Sequence, residues 1–590
     1  MRKWQEEETM PKNKYVKYVG VLVTWFITVF MFAGAFPLTL AASGSNQQVL
    51  RSQPLTEVVT TRAGSVRPGE LQVPLITWGG DVAAIYTADS GLFNAEGLDV
   101  SLFVENSFSK QVEMCLDGKT PLLRGTMGMI NAAAEVFKRQ GLDLVVVYQM
   151  TWSTGGDALV TRENVDSPRD LKGKTVALQR YGPHMDYLAN ILNSANISLR
   201  EVDLKWFGEL SFPTYDTKGK IVDPVSAFLE DDSIDGVMCI IPDAMNLTSG
   251  GKVGTGAAGS VKGAKIMLST KTASRIIADV YAVRSDYFNQ NKRKIETFVK
   301  TLMKGQEALE NLLSKKNTQQ TEYKKLMTHA ADLLLGAPQA VPDVEALLGD
   351  CQFVGYDGNV SFFTGKGTTR TMTQLTKEIQ DSFTNMGLMS SKVTLLSANW
   401  DYAQMTQGLS NISLKPKPVE QKFDVRKVEE KISVEPTTWA EAGTLFQVEI
   451  NFGPNQSTFP ETQYEADFRK AVSIAQTYGG SLIIIEGHSD PLGILKAKEA
   501  RKPAVEINQM EQQAKNLSLL RAQAVRASFL DYCKKRGLVL DESQFVAVGM
   551  GITNPKFNPP RTKEEWDANR RVVFRIKQVE AELTEFTPLK

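Results

Sequence analysis

Residues 75–106 read LITWGGDVAAIYTADSGLFNAEGLDVSLFVEN, and this stretch decides the fold of the larger part of the chain. An apolar run ends at Trp78-Gly79-Gly80-Asp81, a glycine-bearing turn. A helical pattern follows, and G-L-F-x-x-x-G-L-D-V then leads into a second apolar run. The logic returns at 171–197, LKGKTVALQRYGPHMDYLANILNSANI: a turn, a strand, then a helix beginning near Pro183. Between residues 70 and 401 strands are predicted over 71–77, 98–104, 142–149, 157–162, 175–180, 235–241 and 264–270. Helices fall between them, for instance over 185–194 and 292–313. Strand–helix alternation of this kind predicts an α/β domain with a parallel or mixed sheet.

The rest of the chain is organised around that domain. Its 590 residues are long enough for two to four domains. Residues 1–18 hold Arg2, Lys3, Lys12, Lys14 and Lys17 and are read as a cytoplasmic basic segment. Residues 19–42, VGVLVTWFITVFMFAGAFPLTLAA, carry no Asp, Glu, Lys or Arg. As a helix they would span a hydrocarbon core of about 30 Å. The flanking positive charges put the N-terminus in the cytoplasm and the bulk outside. An uncleaved inner-membrane anchor and a cleaved signal peptide both fit, and the apolar length favours the anchor, because a signal core runs about 7–15 residues. Residues 43–69 are polar and read as a tether, residues 402–440 as a charged, proline-bearing linker, and residues 441–580 as a compact α+β module.

Composition excludes several classes. Lys+Arg and Asp+Glu each number 67, a balance that weighs against nucleic-acid binding. The three histidines, His184, His329 and His488, lie far apart, and the four cysteines form no C-x-x-C motif, so no metal site and no cofactor is expected. The glycine-rich stretch 249–265 lacks the G-x-x-x-x-G-K-[S/T] phosphate loop and reads as a mobile loop. Neither G-x-S-x-G nor H-E-x-x-H occurs, and no enzyme is expected.

The runs at 75–106 and 171–197, with IDGVMCIIPDAMNL (234–247) and KTASRIIADVYAVRSDYF (271–288), resemble periplasmic substrate-binding proteins of the nitrate/sulfonate/taurine ABC-transporter type, which share their fold with thiamine-precursor binders. The resemblance implies a two-lobed fold with the ligand between lobes, where strand ends and helix N-termini converge. The candidate ligand contacts are Trp78, Gly79, Gly80, Asp81, Thr126, Trp152, Ser153, Arg180, Tyr181, His184 and Asp243. Asp81 and Asp243 suit an amine-bearing ligand and Arg180 an anion, and the sequence leaves that choice open.

In the C-terminal module IEGHSDPLG (485–493), LSLLRAQAV (517–525), VGMGITNP (548–555) and NRRVVF (569–574) occur in the order of the OmpA-like peptidoglycan-binding domain, as in MotB and peptidoglycan-associated lipoproteins. That resemblance implies that Asp490 and Arg521 grip the zwitterionic diaminopimelate of the wall's stem peptide, with Asn569 and Arg571 supporting the pocket. One carboxylate would meet the ammonium and one guanidinium the carboxylate. Arg521 is expected near a helix N-terminus, and the extra residues at about 495–514 as a surface loop or a rebuilt pocket rim.

The expected function is a cell-envelope solute-binding protein, tethered to peptidoglycan and presenting a small ligand to a membrane transporter or sensor. The alternative is a structural membrane-to-wall linker whose binding-protein fold is a spacer or docking module. An ion-motor subunit would need an acidic residue within 19–42, which has none.

Overall fold

The computed structural model describes residues 46–577, apart from 212–213, 367–369, 413–422, 427, 429–443, 452–460 and 539. The basic segment and the apolar stretch 19–42 lie outside the described residues. Among the described residues no helix is long and apolar enough to cross a membrane.

Two sheets build the larger domain. The strands are β1 (Leu71–Leu75), β2 (Val100–Val104), β3 (Leu122–Thr126), β4 (Leu144–Ser153), β5 (Asp157–Thr161), β6 (Thr175–Gln179), β7 (Asp203–Phe207), β8 (Gly236–Ile240), β9 (Lys265–Ser269), β10 (Ala278–Arg284), β11 (Cys351–Phe353) and β12 (Leu396–Ser397). The first lobe carries β11-β4-β10-β3, with β12 beside β4 and the parallel pair β1-β2. The second lobe carries β7-β6-β8-β5-β9. The chain passes between the two sheets at 154–156 after β4 and at 270–277 before β10. Each ladder is mixed: β6 runs parallel to β7 and β8, while β5 is antiparallel to β8 and β9.

The predicted strands appear with ends shifted by a few residues, whereas β3, β7 and β10 were not expected. β10 is buried at every position and pairs with both β3 and β4, so it completes the first lobe after the excursion through the second. The helix Met185–Ser194 has the predicted bounds, and the predicted 292–313 is part of a longer helix, Ser285–Ser314.

Two stretches read as linkers are packed. Residues 46–50 lie on the second lobe, where Leu50 N donates to Trp206 O at 2.8 Å. The turn Leu55–Glu57, with Leu55 fully buried, packs against the helix Met127–Arg139 of the first lobe. Residues 402–411 remain with the first lobe, where Tyr402 and Met405 are buried. Apolar side chains dispersed in polar sequence carry no periodicity, so this packing had no pattern to announce it.

The C-terminal module has strands β13 (Thr444–Asn451), β14 (Leu482–His488), β15 (Phe545–Gly551) and β16 (Arg571–Lys577), in the order β13-β16-β14-β15. β14 and β15 are parallel and β16 is antiparallel to both its neighbours. The helices Glu461–Thr477 and Ala504–Lys535 pack through Phe468, Phe529 and Tyr532. Phe423 and Val428 join Leu482, Ile484, Val546 and Val548 in a second apolar cluster, so part of the 402–440 stretch belongs to this module. The extra residues near 495–514 form no loop: they supply the helix Leu492–Glu499 and the first turns of Ala504–Lys535. Their exposed positions are mostly charged or amide residues of good helix propensity, which extends the helix without needing a core.

If 46–59 is part of the domain, Leu55→Ala lowers its stability by about 2–4 kcal/mol in urea unfolding. A free tether predicts a change within about 0.5 kcal/mol.

Candidate functional site

The interlobe cleft is built on one buried guanidinium. Arg124 in β3 sits in an otherwise apolar strand and is fully buried. Its Nε and Nη2 donate to Asp81 at 3.1 and 2.8 Å, and its Nη1 donates to Asp279 Oδ1 at 2.9 Å. Thr151 Oγ1 donates to Asp279 Oδ2 at 2.8 Å and accepts from Trp78 Nε1 at 3.2 Å. The turn Gly79–Asp81, β3, β4 and β10 are thereby fixed at one end of the first lobe.

The second lobe supplies a different set. His184 Nε2 lies 2.8 Å from Asp157 Oδ1, and Ser153 Oγ donates to Asp157 Oδ2 at 2.6 Å. Thr270 Oγ1 accepts from Ser153 Oγ at 3.0 Å. These contacts join both crossovers to the first turn of Met185–Ser194. Two residues beyond His184, Asp186 is only 4 % exposed and, among the described residues, neither carboxylate oxygen is hydrogen-bonded by another residue. It stands against Gly128 of the other lobe, where a Cβ would come within 2.5 Å of its Oδ1. Asp243 Oδ2 and His184 Nδ1 are buried and unpartnered as well.

Burial raises the cleft's carboxyls. It pushes Asp186 up to about 7, with its own backbone N–H and then the Arg370 charge pulling back. Burial also takes Asp243 to about 6, with Asp223 adding repulsion. Asp350, which flanks Gly155, rises to about 6 by burial, and Asp81 rises to about 6 despite Arg124. Of the nearby cations, Arg124 is engaged by Asp81 and Asp279 and Arg370 by Glu378 and Arg275 O, while Arg275 Nε is buried with no partner among the described residues.

The sequence-predicted residues divide accordingly. Trp78, Ser153, His184 and Asp243 lie where the lobes meet. Trp78 packs over Gly156, whose Cβ would be 2.6 Å from the ring. Asp81 is held in its ion pair and is not open to an amine. Gly79 and Gly80 are covered by Leu347 and Thr151. Thr126 caps Met127–Arg139 by accepting from Met129 N at 3.2 Å. Trp152 is a core aromatic, edge-on to Phe362. Arg180 and Tyr181 face the N-terminal stretch: Arg180 Nη1 donates to Arg51 O and Tyr181 Oη to Gln53 O, both at 2.7 Å. Arg124, Asp157, Asp186 and Asp279 were missed. Arg124 and Asp279 had a legible signal, a charge inside an apolar strand, which burial tolerates only with a partner.

The C-terminal site forms where Ala504–Lys535 lies close on β14 and β15. A Cβ on Gly487 would come within 1.9 Å of Ser518 O, and one on Gly549 within 2.6 Å of Lys515 O. Ser518 Oγ accepts from Gly551 N at 2.9 Å, and Ser489 Oγ donates to Ala514 O at 3.0 Å. Asp490 Oδ1 accepts from Leu492 N at 3.3 Å and from Asn569 Nδ2 at 3.4 Å. Asn569 also binds both backbone groups of Phe557 at 2.9 Å. Arg521 is 5 % exposed, its Nε has no partner, and burial with the Arg570 charge lowers its pKa. It sits inside the long helix rather than near an N-terminus, so free N–H groups do not assist it. Arg571 donates from Nη2 to Asn554 O at 3.0 Å and leaves Nε and Nη1 unpartnered. His488 is buried, 3.5 Å from Glu486, which Arg575 holds bidentately at 2.9 Å. Among the described residues no group of three or more His, Cys, Asp or Glu is placed to hold a metal.

Against known proteins, residues 80–311 match the family described as NMT1/THI5 like. No curated protein matches the chain. Among solved structures, the periplasmic aliphatic sulphonate binding protein SsuA from Escherichia coli is 15 % identical, with 61 % of this chain and 97 % of that one covered at a TM-score of 0.38. A Candida albicans protein with the generic periplasmic binding protein fold is 12 % identical, with 59 % and 99 % covered at 0.37. The periplasmic nitrate-binding protein NrtA from Synechocystis PCC 6803 is 11 % identical, with 46 % and 67 % covered at 0.31.

Asp186 gives the cleft a pH signature. A carboxyl raised in the folded state contributes stability below its unfolded pKa and loses it as pH rises through the folded value. Asp186→Asn should therefore gain on wild type, by roughly a few kcal/mol, between pH 4 and pH 8 in denaturant melts of ligand-free protein. A parallel pair of stability curves would contradict the assignment.

Proposed function

We propose that this chain is an envelope solute receptor whose interlobe cleft takes a ligand bearing a positive charge, and whose C-terminal module holds it to peptidoglycan. The observation that carries the receptor reading is Asp186: a buried carboxyl at the junction of two lobes, with neither oxygen bonded by another residue among those described. An unpaired buried charge is costly, and a ligand that supplies its partner recovers that cost. Asp243 Oδ2 offers a second acceptor, and His184, oriented by Asp157, leaves Nδ1 for a further hydrogen bond. The amine alternative is supported by the two raised carboxyls Asp186 and Asp243, with Arg124 engaged and Arg180 facing elsewhere. A sulphonate or nitrate, named for the E. coli and Synechocystis proteins, would enter carboxylate-rich surroundings. The family match at 80–311 accords with a binding domain. The cavity beside Asp186 is only ≈ 20 Å³, so ligand entry requires the lobes to part. The cleft binds and releases its ligand to a membrane transporter or sensor and does not convert it.

The wall reading is supported by the four motifs converging on one end of the C-terminal sheet, with Arg521 buried and its Nε without a partner among the described residues. Diaminopimelate, carrying ammonium and carboxylate together, meets both groups.

Two measurements check this. In thermal shift of the full chain, putrescine, agmatine or lysine should stabilise wild type, by about 2.7 kcal/mol at a hundred times Kd, and fail with Asp186→Asn. Stabilisation by ethanesulfonate or nitrate instead would contradict the ligand class, and no ligand at all would favour the spacer. In co-sedimentation with sacculi, Arg521→Ala and Asp490→Ala should each weaken binding roughly ten- to a hundred-fold, the worth of a charged hydrogen-bond pair. Wild-type retention by both variants would remove the wall site.

A further inference from the structure

The crossovers 154–156 and 270–277 join β4 to β5 and β9 to β10, so parting of the lobes bends them. The second, 270–277, is gripped from outside by the C-terminal module. Arg275 N donates to Thr477 O at 3.2 Å, and Gly480 N donates to Thr272 O at 3.2 Å. Gly480 lies so close that a Cβ there would stand 1.7 Å from Lys271 O, and a Cβ on Gly479 would stand 3.2 Å from Ser274 Oγ. Between them, Tyr478 is fully buried, and its hydroxyl donates to Asn190 Oδ1 at 3.3 Å. Asn190 stands one turn beyond Asp186 on the same helix, and both line the cavity that Ile276 and Arg370 also line. From the other side Arg370 Nη1 donates to Arg275 O at 3.1 Å.

The gripping turn is itself stiff. Gln544 Nε2 and Ser481 Oγ both donate to Tyr478 O, at 2.9 and 2.8 Å. β14 starts at Leu482, directly after this turn, and runs to His488, two residues short of Asp490. Seven residues of strand make a rod of about 23 Å. One end of that rod meets the crossover and the other carries the proposed wall site.

We propose that the turn 477–480 is a clamp on the interlobe crossover, through which lobe parting and the seating of the wall-binding module are coupled. The C-terminal module is then no loose tether: it biases the cleft toward the closed arrangement. Its bearing on ligand capture rests on the receptor reading above, but the clamp stands or falls in the ligand-free protein.

Hydrogen–deuterium exchange of the full, unliganded chain tests it. Gly480→Val places atoms where Lys271 O lies and should lift the turn. Amides of 271–277 should then exchange at least about ten-fold faster, and so should 126–129 and 154–157, where the lobes meet. The strand cores 144–150 and 482–488 should keep wild-type protection. Asn190→Ala, which leaves the C-terminal core untouched, should act in the same direction by several-fold. Unchanged exchange at 271–277 in both variants would overturn the clamp. Faster exchange there with 126–129 and 154–157 unchanged would leave a passive contact and overturn the coupling. If Gly480→Val loses protection along 482–488, the same readouts in Asn190→Ala decide.

Discussion

The ion pairs of Arg124 organise everything around the cleft. One guanidinium binds Asp81 from the turn after β1 and Asp279 from β10, the strand that returns from the second lobe. Burying these three charges is tolerable only because each meets a partner and Thr151 takes a remaining lone pair. Removing Arg124 would leave two carboxylates uncompensated in the first lobe's interior. The same arrangement sets the chemistry of the site. With its strongest cation engaged, the junction is left with Asp186 and Asp243, and burial raises both.

A second constraint shapes the C-terminal module: the close contact of one helix with two strands. Glycines at 487 and 549 let Ala504–Lys535 approach β14 and β15. That approach brings Ser518, Arg521 and the loop carrying Asp490 to one end of the sheet. The helical extension from the extra residues leaves this contact intact, because it adds turns beyond the seam.

Legibility in the sequence followed periodicity. The βα turn at Trp78-Gly79-Gly80-Asp81 and the helix after His184 were readable because apolar spacing and glycine punctuation agree there. β10 was not assigned, since a run such as IIADVYAV fits a buried strand or a buried helix equally well. The candidate site was half legible. His184 and Asp243 stood out as polar residues at helix starts, and Asp490 and Arg521 through their motifs. Asp186 beside His184 was passed over because its importance lies in the absence of a partner, a property only three-dimensional surroundings define. Arg180 and Tyr181 misled for the converse reason: their place at a strand end is right, but residues 51–53 return to occupy them.

We propose a positively charged solute between the lobes of this chain. Native mass spectrometry of the full chain purified from envelope extract tests it most directly. A bound small molecule with a basic nitrogen in wild type, absent from the Asp186→Asn, Asp243→Asn double variant, is the predicted result. A bound acid, or an adduct retained unchanged by the double variant, would contradict it.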